Sequence, residues 1–415
     1  MNGYREALAG YFRAGIRQSD DLRLGVELEH FPVYSETGES VQYSGTDGVR
    51  ALVEGMIGIF PGAEPLYEDD LFGFMVPDFT ITLEPGAQIE ISIAPQRHVS
   101  DVVRIYDDFR KAVSPILDDH GIRLVSSGCI PKTDVGSVEL LPKARYRLMD
   151  EYFRGTGTGG MEMMRGSASL QVSVDYTSEE DFVRKIRAMY FYSPALRLLC
   201  DNAAMFQGRK VSTFLKRTDI WRRVDGRRCG IPPGLFSDTI GFETYAEYIG
   251  NMPPIFIKED GRIVPTGDKT VAELYACREM NTDDIEHVLS LAFPPVRLKK
   301  FIEIRFADSV PIEYAAAYTA LIKGLAYSDE GTGFAKEIIA RVNLDAVMMI
   351  ATGDAIMENG FMAGTYMGRA DEFCRTIIGI AERNLDEEEK AFLEPFGKVI
   401  EYGGIANIPG IALSV

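Results

Sequence analysis

The chain has 415 residues, 46% of them hydrophobic, and its 44 Lys+Arg against 62 Asp+Glu leave a net charge of −18. That length can bury a large core, and the negative field argues against passive binding to nucleic acid or anionic lipid. No apolar run approaches the roughly 18 residues of a membrane span, so no membrane partner is expected.

In chain order, residues 4–17 read as an amphipathic helix and 23–34 as a strand. "GTDGVRALVEGMIGIF" (45–60) reads as a helix after a turn. "DFTITLEPGAQIEISIAP" (78–95) reads as a hairpin turning at Glu84-Pro85-Gly86-Ala87. A helix over 99–118 and a strand in "GIRLVSSGCIP" follow. "RGTGTGGMEMMRG" (154–166) is either a mobile loop or a lid over phosphates. "SASLQVSVDY" (167–176) is a strand, and Thr177-Ser178-Glu179-Glu180 supplies an N-cap for a helix over 179–202. After a long mixed region come a helix near 282–292, a strand in "RLKKFIEIRFAD" (297–308) and a mostly helical remainder from 311. The methionine-rich stretch "AVMMIATGDAIMENGFMAG" is expected to fill core, as is Trp221, the only tryptophan. With one hairpin and no βαβ regularity, the fold class is α+β with a largely antiparallel sheet, as a single domain over 1–415.

Four of these strands share a peculiarity. Val26 and Leu28 alternate with Glu27 and Glu29, and Ile89, Ile91 and Ile93 with Gln88, Glu90 and Ser92. Leu170, Val172 and Val174 oppose Gln171, Ser173 and Asp175, while Ile302, Ile304 and Phe306 oppose Glu303 and Arg305. Each strand has one aliphatic and one polar face. One such face alone would pass for a solvated surface. Across all four, the polar positions hold carboxylates, amides and one arginine, and no lysine to neutralise the acids. Hard oxygen ligands of that kind suit Mg²⁺ or Mn²⁺, and Mg²⁺ commonly brings phosphates. There is no G-x-x-x-x-G-K-[ST] loop, and the glycines at 155–160 do not open a helix directly after a strand. Five scattered cysteines without a C-x-x-C, and an N-terminus lacking an apolar h-region, suggest free thiols and a cytoplasmic setting.

"GVELEHF", "LEPGAQIEISIAP", "MEMMRGSASLQVSVDYTSEEDFVRKIR", "IWRRVDGRRCGI" and "FPPVRLKKFIEIRFAD" resemble, in order and spacing, the plant-type glutamate–cysteine ligases, which also occur in bacteria. The likeness runs from about residue 20 to about 330, with a weaker echo over 387–403. It implies a glutamine-synthetase-like fold, in which a curved antiparallel sheet forms an active-site funnel lined by metal-binding carboxylates. It further implies ATP-dependent joining of the glutamate γ-carboxylate to the amine of cysteine through an acyl phosphate, with Mg²⁺ or Mn²⁺ as cofactor. By position, Glu27, Glu29, Glu90 and Glu303 resemble the metal ligands, and Arg305 the phosphate-contacting catalytic arginine. Gln171 fits a metal or nucleotide contact. Arg165 and Arg217 either clamp substrate carboxylates or phosphates, or form surface salt bridges. The family's usual Q-V-N-L-D reads Q-V-S-V-D here, placing Ser173 at a nucleotide-contact position, and its E-P-G-G-Q reads E-P-G-A-Q. Asp175 is either a ligand or a strand-end turn residue. Another amine acceptor, or an inactive metal- or nucleotide-binding homologue, are the alternatives to a cysteine-using ligase.

Overall fold

A computed structural model describes residues 3–259 and 262–411; the outermost residues of the single-domain reading lie outside the described residues. The centre is a nine-stranded antiparallel sheet that does not close on itself. Its strands in chain order are β1 (Leu24–Tyr34), β2 (Glu64–Tyr67), β3 (Leu71–Met75), β4 (Phe79–Leu83), β5 (Ile89–Gln96), β6 (Ile122–Val125), β7 (Ser169–Val174), β8 (Val296–Leu298) and β9 (Ile302–Asp308). The spatial order is β8-β9-β7-β1-β5-β4-β3-β2, with β6 pairing the far end of β1. The four strands with a polar face are therefore side by side as β9-β7-β1-β5.

Their aliphatic faces are buried: Val26, Leu28, Ile91, Leu170, Val172 and Ile304 are all at most 1% exposed. The helix Val99–Asp119, the long helix Glu179–Leu199 and the helix Ile312–Ala326 pack on that side. Each buried aliphatic side chain contributes about 1.5–3 kcal/mol relative to exposure, so register is strongly fixed here. A one-residue slip would drive the carboxylates into the helix layer. The long helix starts as its sequence asks: Ser178 caps it by accepting from the Asp181 N–H at 3.0 Å.

Three readings are corrected. Residues 297–308 form a hairpin, β8 and β9, with Arg297 directly opposite Glu303. The glycine-rich segment is a loop only in its first half, because Gly160–Gly166 is helical. The methionine-rich helix Ala346–Asn359 buries only Met349, Thr352 and Ile356, while Val347 is 74% exposed.

Candidate active site

Register brings the polar positions into rows across the sheet. Glu27 lies opposite Gln171 on one side and Ser92 on the other, Glu29 opposite Glu90, and Glu90 opposite Thr82. A β-bulge at Arg305 and Phe306 faces Gln171 and re-aims the arginine. Its Nη1 donates to the Gln171 amide oxygen and, at 2.8 Å, to Glu303 Oε2. Over this face lies a cavity of about 250 Å³, lined by Glu27, Glu29, Glu84, Glu90, Gln171, Arg217, Glu303 and Arg305. The helices Ala144–Phe153 and Gly160–Gly166 cover it through Arg145, Tyr146, Met149, Met163 and Met164. Trp221 and Phe293 close another side, so the tryptophan is a wall of the site and not core filling.

The carboxylates divide into two groups. Glu29 accepts from the Ser169 N–H and hydroxyl, both at 2.7 Å, and Glu90 from Thr82 and Ser92 at 2.9 and 3.1 Å. Neither they nor Glu27 and Glu84 pair with a cation among the described residues. The consequence is electrostatic frustration. Burial, reinforced by Glu303, raises the Glu27 carboxyl above its usual range. Burial, then Glu27, Glu84 and Glu29, holds Glu90 well above it. Burial and Glu29 push Glu84 up to about 7. Glu303 behaves oppositely. Its own burial works against charge, but Arg297, Lys299 and Arg305 hold it well below the usual range. The contacts are 2.6 Å to Arg297, 3.0 Å to Lys299 and 2.8 Å to Arg305.

A hard divalent cation fits the first group. Glu27, Glu29, Glu84 and Glu90 offer oxygen donors with no ammonium group in ion-pair contact among the described residues, and the raised proton affinities of Glu27, Glu84 and Glu90 mark charge that lacks a counterion. Their oxygens do not share a 4.8 Å cluster as placed, so closure around an ion would require side-chain rotation. Among the described residues that spacing is met by His98, Asp386 and Glu389, where Glu389 already holds Lys323 at 2.7 Å. Glu303, in contrast, is already ion-paired to three cations, and the expectation that no lysine touches these acids fails at Lys299.

Other expectations sort by contact. Arg217 is 4% exposed, lines the cavity and donates only to the carbonyls of Arg305 and Ala307, at 3.3 and 3.4 Å. Arg165 does not line the cavity. Its guanidinium bonds Asp150 at 3.0 Å and the Val138 carbonyl at 3.1 Å, which ties helix to helix. Ser173 is paired with Glu303 and Gly25 on the same face but lies outside the cavity lining. Asp175 takes the strand-end role, accepting from the Arg23 N–H at 2.9 Å. Sequence reasoning missed Glu84, read only as a turn residue, and the pair Arg297 and Lys299. The signal for the latter was the register of a hairpin, with Arg297 facing Glu303.

An open antiparallel sheet carrying a cleft of carboxylates and buried arginines marks a candidate site for a charged substrate. Comparison narrows this: residues 23–344 match the model of glutamate-cysteine ligase family 2, and the chain belongs to that family. It is 27% identical over 418 residues to the chloroplastic glutamate–cysteine ligase of Arabidopsis thaliana, covering 92% of this chain and 79% of that one. To the chloroplastic glutamate–cysteine ligase B of Oryza sativa it is 30% identical, covering 79% of this chain and 66% of the relative. In fold it is similar to the glutamate–cysteine ligase of Francisella tularensis solved in complex with AMP, with a TM-score of 0.53 at 9% identity over 92% of this chain and 82% of that one.

Proposed function

We propose that this protein is a glutamate–cysteine ligase, using ATP and Mg²⁺ (or Mn²⁺) to join the γ-carboxylate of glutamate to the amine of cysteine. The observation that carries the reading is the set of cation-free glutamates facing Arg217 and Arg305 across one cavity, in a chain whose relatives bear that name. In the first step a glutamate carboxylate oxygen attacks the γ-phosphorus and ADP leaves. In the second the amine attacks the acyl carbonyl, phosphate leaves and the amine proton is released.

A divalent cation held by Glu27, Glu29 and Glu90, with Glu84 in reach, would neutralise phosphate oxygens. The chain supplies the rest. Arg305 offers a planar fork to equatorial phosphoryl oxygens, and Gln171 and Glu303 hold that fork in place. Arg217 adds a second buried cation on the same path. Met149, Met163, Met164, Trp221 and Phe293 keep water from the acyl phosphate. No covalent enzyme intermediate is required. No cysteine lines the cavity, and burial pushes the Cys229 thiol in the adjoining pocket up to about 12.

Five free cysteines support a cytoplasmic setting as part of this reading. No described helix is long and apolar enough to cross a membrane. Small molecules are the proposed partners, as the family match supports. The test is phosphate release from ATP with Mg²⁺, glutamate and a panel of amines. Strongest release with cysteine is expected. Equal release with 2-aminobutyrate would remove the thiol preference, and none with any amine would favour an inactive homologue.

A further inference from the structure

The cavity does not end at Arg217 and Arg305. These two residues, with Trp221 and Phe293, also line a neck of about 50 Å³. Arg197, Thr218, Arg222 and Cys229 connect that neck to a second chamber of about 230 Å³.

The neck holds unspent positive charge. Arg197 makes no ion pair or side-chain hydrogen bond among the described residues. Its guanidinium lies 5.0 Å from the centre of the Phe306 ring, and its Nε is buried without a partner. Arg217 hydrogen-bonds only backbone carbonyls among the described residues, its guanidinium lies 5.6 Å from the centre of the Trp221 ring, and its Nε is likewise unpartnered. Neither guanidinium has a carboxylate within ion-pair distance among the described residues, Asp308 acting on both only from further off, and such charges are costly to bury, more so beside each other. In a chain of net charge −18, that arrangement is explained by an anion delivered from outside.

The chamber is of the other character. Tyr190, Pro194, Leu215, Ile231, Met349 and Met357 make its walls largely apolar. Met349, Ile350, Gly353 and Met357 come from the helix Ala346–Asn359, beyond residue 344 where the family match stops. Methionines adapt to flat, polarisable rings.

We infer that this chamber holds the base and ribose of the nucleoside triphosphate, with the helix Ala346–Asn359 as its wall, while the phosphates pass the Arg197–Arg217 neck to Arg305. The assignment rests on the ATP-dependent reading above. A polyphosphate answers two unpartnered guanidiniums and Arg305 together. The single carboxylate of an amino-acid acceptor would not.

Gly353 provides the test, because a Cβ added there meets nothing within 4 Å. Gly353→Phe should fill the chamber without disturbing core packing, and Gly353→Ala shows what the helix change does by itself. Calorimetric titration of the full chain with ADP and with inorganic tripolyphosphate reads the two compartments separately. We expect Gly353→Phe to weaken ADP by roughly tenfold or more while tripolyphosphate moves less than about twofold. Arg197→Met should weaken both. Unchanged ADP affinity in Gly353→Phe, with circular dichroism matching the parent, would overturn the assignment, as would a parent that binds no ADP. A raised KM for the amine with ADP affinity intact would give the chamber to the acceptor and also sink it. Because binding is read without turnover, a parent that binds ADP in this way yet releases no phosphate would defeat the ligase reading alone.

Discussion

Two corners of one cavity use the same residue type in opposite ways. At β1 and β5, Glu27, Glu29 and Glu90 face one another with hydroxyls and amides as neighbours, and two of them are forced toward the protonated form. At β9, Glu303 is buried under Arg297, Lys299 and Arg305 and stays ionised. The first corner gathers carboxylates that have no cation partner among the described residues, which is destabilising. The second is compensated, with three cations around one carboxylate, and Glu303 accepts from Arg305 at 2.8 Å. A carboxylate in an acidic cleft is thus not automatically a candidate ligand; its existing partners decide.

Removing the carboxylate from the compensated corner should have the largest effect. Glu303→Gln leaves Arg297, which is 4% exposed, beside two other cations with no counterion. Breaking such a buried cluster costs roughly 3–5 kcal/mol, to be read as a lower urea midpoint. A loss below about 1 kcal/mol would return Glu303 to the metal-binding set.

Next comes the arginine that this corner positions. Arg305→Lys keeps the charge and loses the planar fork, so kcat should fall by roughly 10²-fold, the scale of one preorganised electrostatic contact. The Mg²⁺ concentration for half-maximal rate should barely move. Near-parental turnover would make Arg305 a structural partner of Glu303 only.

The frustrated corner should show itself in pH. Glu84 has a folded value near 7 against 4.5 for the free side chain. A raised carboxyl contributes stability that is complete below 4.5 and is lost as pH climbs through about 7. With chelator present, unfolding free energy should therefore decline over that window, by on the order of 2 kcal/mol. Glu84→Gln should flatten the slope. An unchanged slope would mean that Glu84 is charged and paired in solution.

How far the sequence made these corners legible follows from what kind of information each needed. Alternation along single strands is local, so the polar faces bearing Glu27, Glu90, Gln171 and Glu303 could be read directly. Which strands are neighbours is not local, yet here the four polar strands are adjacent and their polar faces line one cavity. The failures were contacts made by chain reversal. Lys299 and Arg297 reach Glu303 only because the chain folds back between Leu298 and Ile302, and Arg165 was drawn to Asp150, fifteen residues away on another helix. Glu84 escaped because a turn residue has no face to alternate on.

Glu27→Gln and Glu90→Gln sharpen the contrast with Glu303 further, since the same substitution should act with the opposite sign. Each removes repulsion, so the metal-free protein should melt higher than the parent. Each also removes a hard ligand, and the Mg²⁺ requirement should rise by roughly tenfold, about 1.4 kcal/mol. Metal dependence unchanged in both variants would make this face an ordinary solvated one.

The smallest expected effect lies in the turn that carries Glu84 into the cleft. Ala87 sits at φ +61°, in the left-handed region, where a Cβ crowds the following carbonyl. It is fixed there by two backbone bonds, Ala87 N–H to the Glu84 carbonyl at 2.8 Å and Glu84 N–H to the Gln88 carbonyl at 2.9 Å. Glycine adopts this conformation freely, although it gives the unfolded chain more entropy to lose. Ala87→Gly should on balance stabilise the fold by about 1 kcal/mol or less, seen as a small rise in melting temperature. If Glu84 belongs to the frustrated corner, part of the tension it brings is borne by this turn. Ala87→Gly combined with Glu84→Gln should then gain less than the two changes taken separately. Strict additivity would mean that the turn's strain and the carboxylate's charge are independent.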